Sequence, residues 1–320
     1  MRVVFFGSGD FGIPTLRALT DPRKGKHQVV AVVTQPDRGS GRGRKTHPTP
    51  IKAKALELGL DVIAPEDVNT RDVVSRLGAL RADIGVVVAF GQKVGAEVRG
   101  LFRHECVNLH ASLLPKYRGA APYQWAILQG DEKTGVTVFR LVDRMDAGPV
   151  FVTRWTEIKV DERAADLHDR LAGVGVDAIE ATLERLEAEP DWQPTPQDET
   201  AVTKAPKLRK EDGYLRFERP AEELARRVCG LWSWPGARCQ FVSLKTGKSE
   251  NVTIALARVG DANPAGEAPG TIDYRRFVAT GSGYLEVLEI QPDGARVMPF
   301  PDFVNGRHVA AGDRFASLES

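Results

Sequence analysis

"FFGSGDFG", residues Phe5–Gly12, follows the apolar run Arg2–Phe6 and precedes a helical pattern at Ile13–Leu19. Strand, glycine turn and helix in that order open a parallel α/β sheet. Gly7, Gly9 and Gly12 have the G-x-G-x-x-G spacing, which allows a tight turn and a close approach of backbone to an anion at a helix N-terminus. A dinucleotide site also needs an Asp or Glu closing the second strand, to hold the ribose. Here that strand, Gln28–Thr34, runs into Gln35-Pro36, and the first acid is Asp37, beyond the proline. The fingerprint is incomplete. The turn therefore reads as an anion-binding turn without NAD, or as a plain connection that needs small residues.

Outward from it, short apolar runs alternate with helical patterns. Strands are expected at Asp61–Ile63, Ile84–Ala89, Glu105–His110, Thr137–Val142 and Val150–Glu157, the last two paired. Asn69 and Thr70 cap a helix that runs to about Arg81, and Ala164–Glu189 is a long amphipathic helix. The run Ile84–Ala89 is apolar throughout, as expected of a strand covered on both faces. This predicts a Rossmann-like, mostly parallel sheet with helices on both faces, over residues 1–189. Residues 190–206 hold four prolines and little periodicity, and read as a linker. Beyond it come a helix, Pro220–Leu231, with the proline in its first turn, and short strands at Ala237–Val242, Val252–Val259, Gly270–Tyr274, Phe277–Ala279 and Leu285–Ile290. Residues 207–320 thus read as a small β-barrel.

Composition narrows the chemistry. Of 320 residues 42% are hydrophobic, enough for a sizeable core, and no run is long and apolar enough to span a bilayer. Three scattered cysteines without a C-x-x-C pair point to a reducing compartment, hence the cytoplasm, and to no zinc site. No G-x-S-x-G elbow is present, which argues against a serine hydrolase.

The stretch 106–148 carries the candidate chemistry. Period-two alternation puts Asn108 and His110 on one face of a strand, with Val107 and Leu109 on the other. At the carboxyl end of a parallel strand, such a polar pair faces a ligand crevice or caps the next loop. Asp146 follows in a Gly-bearing loop. A carboxylate that converges on an imidazole orients it, and an amide donates to a developing oxyanion. Asn, His and Asp together suit acyl transfer without a covalent intermediate. Asp146 alone is equally an exposed turn residue.

Asn108-Leu-His-Ala-Ser-Leu-Leu-Pro-x-x-Arg-Gly-Ala-Ala-Pro122, followed by Met145-Asp-x-Gly148, resembles the folate-dependent formyltransferases, and among them those that formylate methionyl-tRNA. The likeness runs through Thr34–Arg38, Gly41–Gly43, Pro48–Lys52, Val88–Gly91, Ala205–Leu208, Lys210–Asp212, Trp234–Ala237, Leu288–Gln291 and Phe303–Gly306. It implies an OB-like C-terminal barrel that binds tRNA. It implies Asn108, His110 and Asp146 as the catalytic trio and Ser112, Leu113, Leu114 and Pro115 as a folate-binding loop. The backbone of Val88, Ala89, Phe90 and Gly91, with the turn at Arg144–Asp146, would line the pterin pocket. The co-substrate implied is 10-formyltetrahydrofolate, the acceptor the amine of methionyl-initiator tRNA, with no metal and a monomeric chain. Gly9 and Gly12 replace a proline and an alanine of the family pattern, which creates the apparent dinucleotide spacing. Val142, Arg144 and Pro149 depart from it around Asp146.

The charge distribution fits an RNA partner. Between Gln35 and Lys54 six cations, Arg38, Arg42, Arg44, Lys45, Lys52 and Lys54, face Asp37 alone. Lys204–Lys248 holds eleven Lys/Arg against five Asp/Glu, in a chain whose net charge is only +1. Arg38, Arg42, Arg44 and Lys45 are the expected tRNA contacts, and Gly7–Gly12 is expected beside the acceptor, toward a phosphate of the tRNA 3′ end. Solvated surface charge would explain the same runs. The alternatives are a formyltransferase for an amino-sugar nucleotide, a folate formyl hydrolase, an NAD-dependent oxidoreductase and a non-enzymatic RNA-binding protein.

Overall fold

A computed structural model describes residues 1–23, 25–40, 45–261, 264 and 266–318. The chain forms two compact units. One comprises Met1–Pro122, Thr134–Thr156 and His168–Ala205; the other Tyr123–Lys133, Glu157–Leu167 and Pro206–Ser320.

The first unit is built on a seven-stranded sheet. Its strands are β1 (Arg2–Gly7), β2 (Gln28–Val33), β3 (Val62–Ile63), β4 (Ile84–Val88), β5 (Cys106–His110), β6 (Lys133–Arg140) and β7 (Val150–Glu157), in the order β7-β6-β5-β4-β1-β2-β3. Neighbours from β3 to β5 pair in parallel, and β6 joins β5 antiparallel. The chain leaves β1 toward β2 on one side and returns to β4 on the other, the switch point at which open α/β sheets place ligands.

Helices α1 (Ile13–Leu19), α2 (Pro50–Glu57), α3 (Arg71–Ala79), α4 (Ala96–Arg99) and α6 (Ala164–Ala188) alternate with the strands, whereas α5 (Pro122–Gln129) falls, past its first residue, in the second unit. Val4, Phe6, Val33, Val87 and Cys106 form one core cluster with Val74 and Leu77 of α3 and Val98 of α4. Side chains one residue along each strand point to the opposite face. There a Cβ on Gly175 of α6 would meet Leu109 Cδ2 at 2.5 Å, so the glycine lets α6 lie close on β5.

Several boundaries differ from the sequence expectation. β6 begins at Lys133, four residues early, because Gly135 lets its backbone pass beside Arg154, whose carbonyl oxygen a Cβ would approach to 2.1 Å. Thr70 takes the N-cap position of α3 without a side-chain cap bond. Helix α2 was hidden in "PTP": Thr49 caps it, accepting from Lys52 N at 3.0 Å, and Pro50 opens it.

In the glycine turn, the amides that lead into it are already paired. Ser8 N and Gly9 N both donate to Ala89 O, at 3.1 and 3.2 Å, and Gly12 N to Gly9 O at 3.4 Å. Asp10 is exposed and lies 3.4 Å from His168 Nε2. Gly7 serves packing. A Cβ on Gly7 would sit 2.8 Å from Phe5 Cε1 and 3.0 Å from Val88 O. Neither a pyrophosphate nor a tRNA phosphate finds free Ser8 and Gly9 amides there.

Residues 190–205 do not behave as a loose tether. Thr195 exchanges two backbone hydrogen bonds with Val150, at 2.7 and 2.8 Å. Lys204–Ala205 pairs in parallel with Arg118–Gly119.

The second unit carries α7 (Ala221–Leu231), α8 (Phe300–Arg307) and strands β8 (Ala237–Val242), β9 (Ser249–Val259), β10 (Val278–Ala279), β11 (Tyr284–Pro292) and β12 (Arg314–Ala316). Pro220 is the N-cap of α7, one position earlier than its expected first-turn place. The strands pair in the order β10-β11-β9-β8-β12, with Met298–Pro299 pairing against β11. Thr271 bridges Arg314 of β12 and Ile272 bridges Val278 of β10, so the sheet nearly closes into an OB-like barrel. Burial alternates along β8, with Ala237, Cys239 and Phe241 inward against Ile254, Leu285, Ile290, Phe303 and Phe315. Cys106, Cys229 and Cys239 are free and buried, and burial pushes all three thiols up, that of Cys229 to about 12. No helix among the described residues is long and apolar enough to cross a membrane.

Candidate active site

Strand β5 ends in His110, at the carboxyl edge of the parallel sheet. Asn108 and His110 follow Cys106 along one face, as period two requires. Asn108 is half-buried, and its side chain makes no hydrogen bond to another described residue. An unpaired amide in that position is a donor and acceptor ready for a ligand.

His110 is 7% exposed and held on both sides. Nε2 lies 2.9 Å from Tyr117 O. A carbonyl only accepts, so Nε2 carries the proton of that bond. Nδ1 faces Asp146 Oδ2 at 3.8 Å, close enough for charge interaction and too long for a direct hydrogen bond. The Phe139 ring stands edge-on to the imidazole, with centroids 6.5 Å apart.

Asp146 adopts φ 51°, in the left-handed region. Its Oδ2 accepts from Gly119 N at 2.9 Å, and its backbone carbonyl accepts from Gln197 Nε2 at 2.9 Å. The same Nε2 donates to Gly148 O at 2.7 Å. Gln197 Oε1 accepts from Arg118 Nε and Nη2 at 3.0 and 2.7 Å. Arg118 is buried and also bonds Glu199 at 2.8 Å, and Glu199 in turn bonds Arg144 at 2.7 Å. The Arg118 guanidinium holds the Glu199 carboxyl below the usual range. Gly119 has φ 135°, and a Cβ there would meet Ala205 O at 2.3 Å.

The loop after β5 is ordered by its own bonds. Ser112 is fully buried; its Oγ donates to Lys116 O at 2.6 Å, and its carbonyl accepts from Thr137 Oγ1 at 2.7 Å. Leu114 N donates to Thr137 Oγ1 at 3.1 Å, and Leu113, Leu114 and Pro115 remain half-buried. Tyr117 N donates to Thr203 Oγ1 at 2.8 Å. In 88–91, the side chains of Val88 and Phe90 belong to the core, Phe90 edge-on to Phe6 at 5.6 Å. Ala89 and Gly91 are exposed. Phe90 O accepts from Ser8 Oγ at 2.8 Å and from Gln35 Nε2 at 3.3 Å.

The structure thus brings His110 and Asp146 together and sets Asn108 beside them on β5. Of the basic residues, Arg42 and Arg44 lie outside the described residues. Lys45 begins a short strand, Lys45–His47, that pairs antiparallel with Arg38–Ser40. Arg38 is 3.9 Å from Glu66 and its guanidinium stays exposed, whereas Lys52 is tied to Asp37 at 2.7 Å. Gln197, Tyr117 and Thr203 went unmarked in the sequence as parts of this region, and Arg118 stood in the motif without a role. Only the QDET stretch stands out from its proline-rich surroundings, and no spacing rule connects it to Asp146.

Residues 1–183 match the formyl transferase family, and residues 207–308 match the formyl transferase C-terminal domain. The chain is 43% identical over 321 residues to the methionyl-tRNA formyltransferase of Methylococcus capsulatus, covering 99% of this chain and 100% of the relative. With that of Solibacter usitatus it shares 41% over 318 residues, 98% of each.

The chain belongs to the methionyl-tRNA formyltransferase family.

Solved structures extend the likeness of fold. HypX from Aquifex aeolicus, in complex with tetrahydrofolic acid, superposes with a TM-score of 0.61 at 19% identity over 95% of this chain. This chain spans about half of HypX, 47%. The N-formyltransferase from Helicobacter canadensis, with folinic acid and dTDP-3-aminofucose, gives a TM-score of 0.62 at 14% identity, over 92% of this chain and 99% of that one. Among the described residues, no group of three His, Cys, Asp or Glu is arranged to hold a metal ion.

Proposed function

We propose that Asn108, His110 and Asp146 carry the transfer of a formyl group from 10-formyltetrahydrofolate to the free amine of methionyl-initiator tRNA. That transfer is the reaction of the family. The assignment of residues rests on one observation: the unpaired Asn108 amide shares a strand end with an imidazole that faces a carboxylate at 3.8 Å.

The methionyl amine attacks the formyl carbon, and a C–N bond forms to it. Negative charge builds on the formyl oxygen. The Asn108 amide donates to that oxygen, and the positive charge of the protonated His110 imidazole, held through Nε2 by Tyr117 O, offsets the charge that builds there. The bond from the formyl carbon to folate N10 then breaks, and the proton lost by the amine reaches N10. Asp146 supports the charged imidazole and holds the water that relays the proton. The separation of 3.8 Å closes, or takes that water, when substrate binds. Ser112–Pro115 and the 88–91 backbone hold the folate, with Ala89 and Gly91 its exposed part. Arg38, Arg42, Arg44 and Lys45 hold the tRNA as a basic arm. The chain works in the cytoplasm as a monomer.

The test supplies 10-formyltetrahydrofolate labelled in the formyl group with Met-tRNA, with an amino-sugar nucleotide, or with neither. Label on Met-tRNA is expected; label on the sugar amine, or release as formate alone, overturns the reading. Asn108→Ala, His110→Ala and Asp146→Ala are each expected to lower kcat by about 10²- to 10⁴-fold. Arg42→Ala is expected to raise KM for Met-tRNA and to reduce the salt slope of its binding by about one, leaving KM for the folate unchanged. Equal loss toward both substrates would remove the arm from the RNA site.

A further inference from the structure

Gln197 has every hydrogen-bonding position of its amide in use. Nε2 donates to Asp146 O and Gly148 O, and Oε1 accepts twice from Arg118. Arginine only donates and a peptide carbonyl only accepts, so the amide has one orientation. The two carbonyls it grips bracket Ala147, in a turn that begins at left-handed Asp146, a conformation disfavoured for a residue with a Cβ. A second grip comes from Gly119, next to Arg118, whose N–H holds the Asp146 carboxylate itself. Gln197 therefore fixes the backbone of the turn while Gly119 fixes the side chain, and Arg118 ties the two together. Glu199 braces the same assembly through Arg118 and Arg144.

We propose that Gln197 is a positioning residue for Asp146: it holds the 146–148 turn so that the carboxylate stays aimed at His110 Nδ1. The proposal rests on the catalytic reading of Asp146 given above. It assigns a role in the reaction to the stretch 190–205 of the first unit, which composition alone makes a spacer. Gln197 touches neither substrate in this role and acts only through the turn.

The discriminating variant is Gln197→Glu. It keeps the side chain's length and an acceptor for Arg118, and loses the N–H groups that hold the two carbonyls. With both substrates saturating, kcat is expected to fall about 10- to 100-fold, because a small misplacement of a catalytic group carries a loss of that order. KM for Met-tRNA and for 10-formyltetrahydrofolate should stay within about twofold, and the pH profile of kcat should shift. In an Asp146→Asn background, a further Gln197→Glu should cost less than about twofold, as for residues acting on one step through one group. Circular dichroism and thermal denaturation of each variant separate loss of fold from loss of aim. Wild-type kcat in Gln197→Glu, or a full multiplicative loss in the double variant, overturns the positioning role. Wild-type kcat in Asp146→Asn alone overturns the catalytic reading instead.

Discussion

At the scale of single residues, the site depends on places where no side chain fits. Gly148 is the clearest. A Cβ there would lie 1.7 Å from Arg140 O, and Arg140 N already bonds Pro149 O at 2.9 Å. Gly148→Ala must push the 146–148 turn away from β6. We expect a loss of about 2–4 kcal/mol in stability and a fall in kcat larger than any change in KM, read by urea denaturation and steady-state kinetics. Asn108, His110 and Asp146 were legible because two of them alternate on one strand and the third sits in a marked glycine loop. Gln197 was not: its partners are 51 and 79 residues away, and loop-to-loop contacts leave no periodicity. The glycine turn misled in the other direction. Its spacing matched a phosphate motif, yet two of its glycines, Gly7 and Gly12, are small because Phe5 and Val88 crowd them.

Elements were legible where a period ran long enough. The strands β1, β2, β4 and β5, the helix α6 and most barrel strands follow from apolar runs or alternation. Of the short helices α1 and α3 were read, whereas α2 and α8 escaped, because they open on prolines that also mark loops. Helix α2 shows what such an opening is worth. Thr49 Oγ1 caps Lys52 N at 3.0 Å and bonds Thr34 Oγ1 at 2.7 Å, joining the helix to the end of β2. Thr49→Ala is expected to cost about 1 kcal/mol, and Thr49→Ser distinctly less, in urea midpoints at constant m-value. The stretch 190–205 shows the limit of composition: proline and polar residues read the same in a tether and in a packed strap. What distinguishes this strap is the bonding of Thr195, Gln197, Thr203 and Ala205.

For the whole molecule, acid should destabilise before carboxylates titrate. His27 and His104 are partly buried, and burial lowers both imidazoles from the ordinary value of 6.5. Between the lowered values and 6.5, the unfolded chain binds more protons than the folded one, so stability falls as pH drops through that window. His104→Gln should flatten the change in denaturation midpoint between pH 7.5 and 5.5; an unchanged slope would exclude its part. The net charge of +1 hid both basic stretches, which only a reading along the chain revealed.

The three buried cysteines also make the protein its own gauge of opening. Cys106 lies in the sheet of the first unit, Cys229 and Cys239 in the second. With their thiols pushed up and shielded, an alkylating reagent reacts with each only when its surroundings open. Labelling rates resolved by peptide mapping would then give an opening free energy for each unit separately, in the native enzyme, without introducing any probe. Added folate should slow the labelling of Cys106 first.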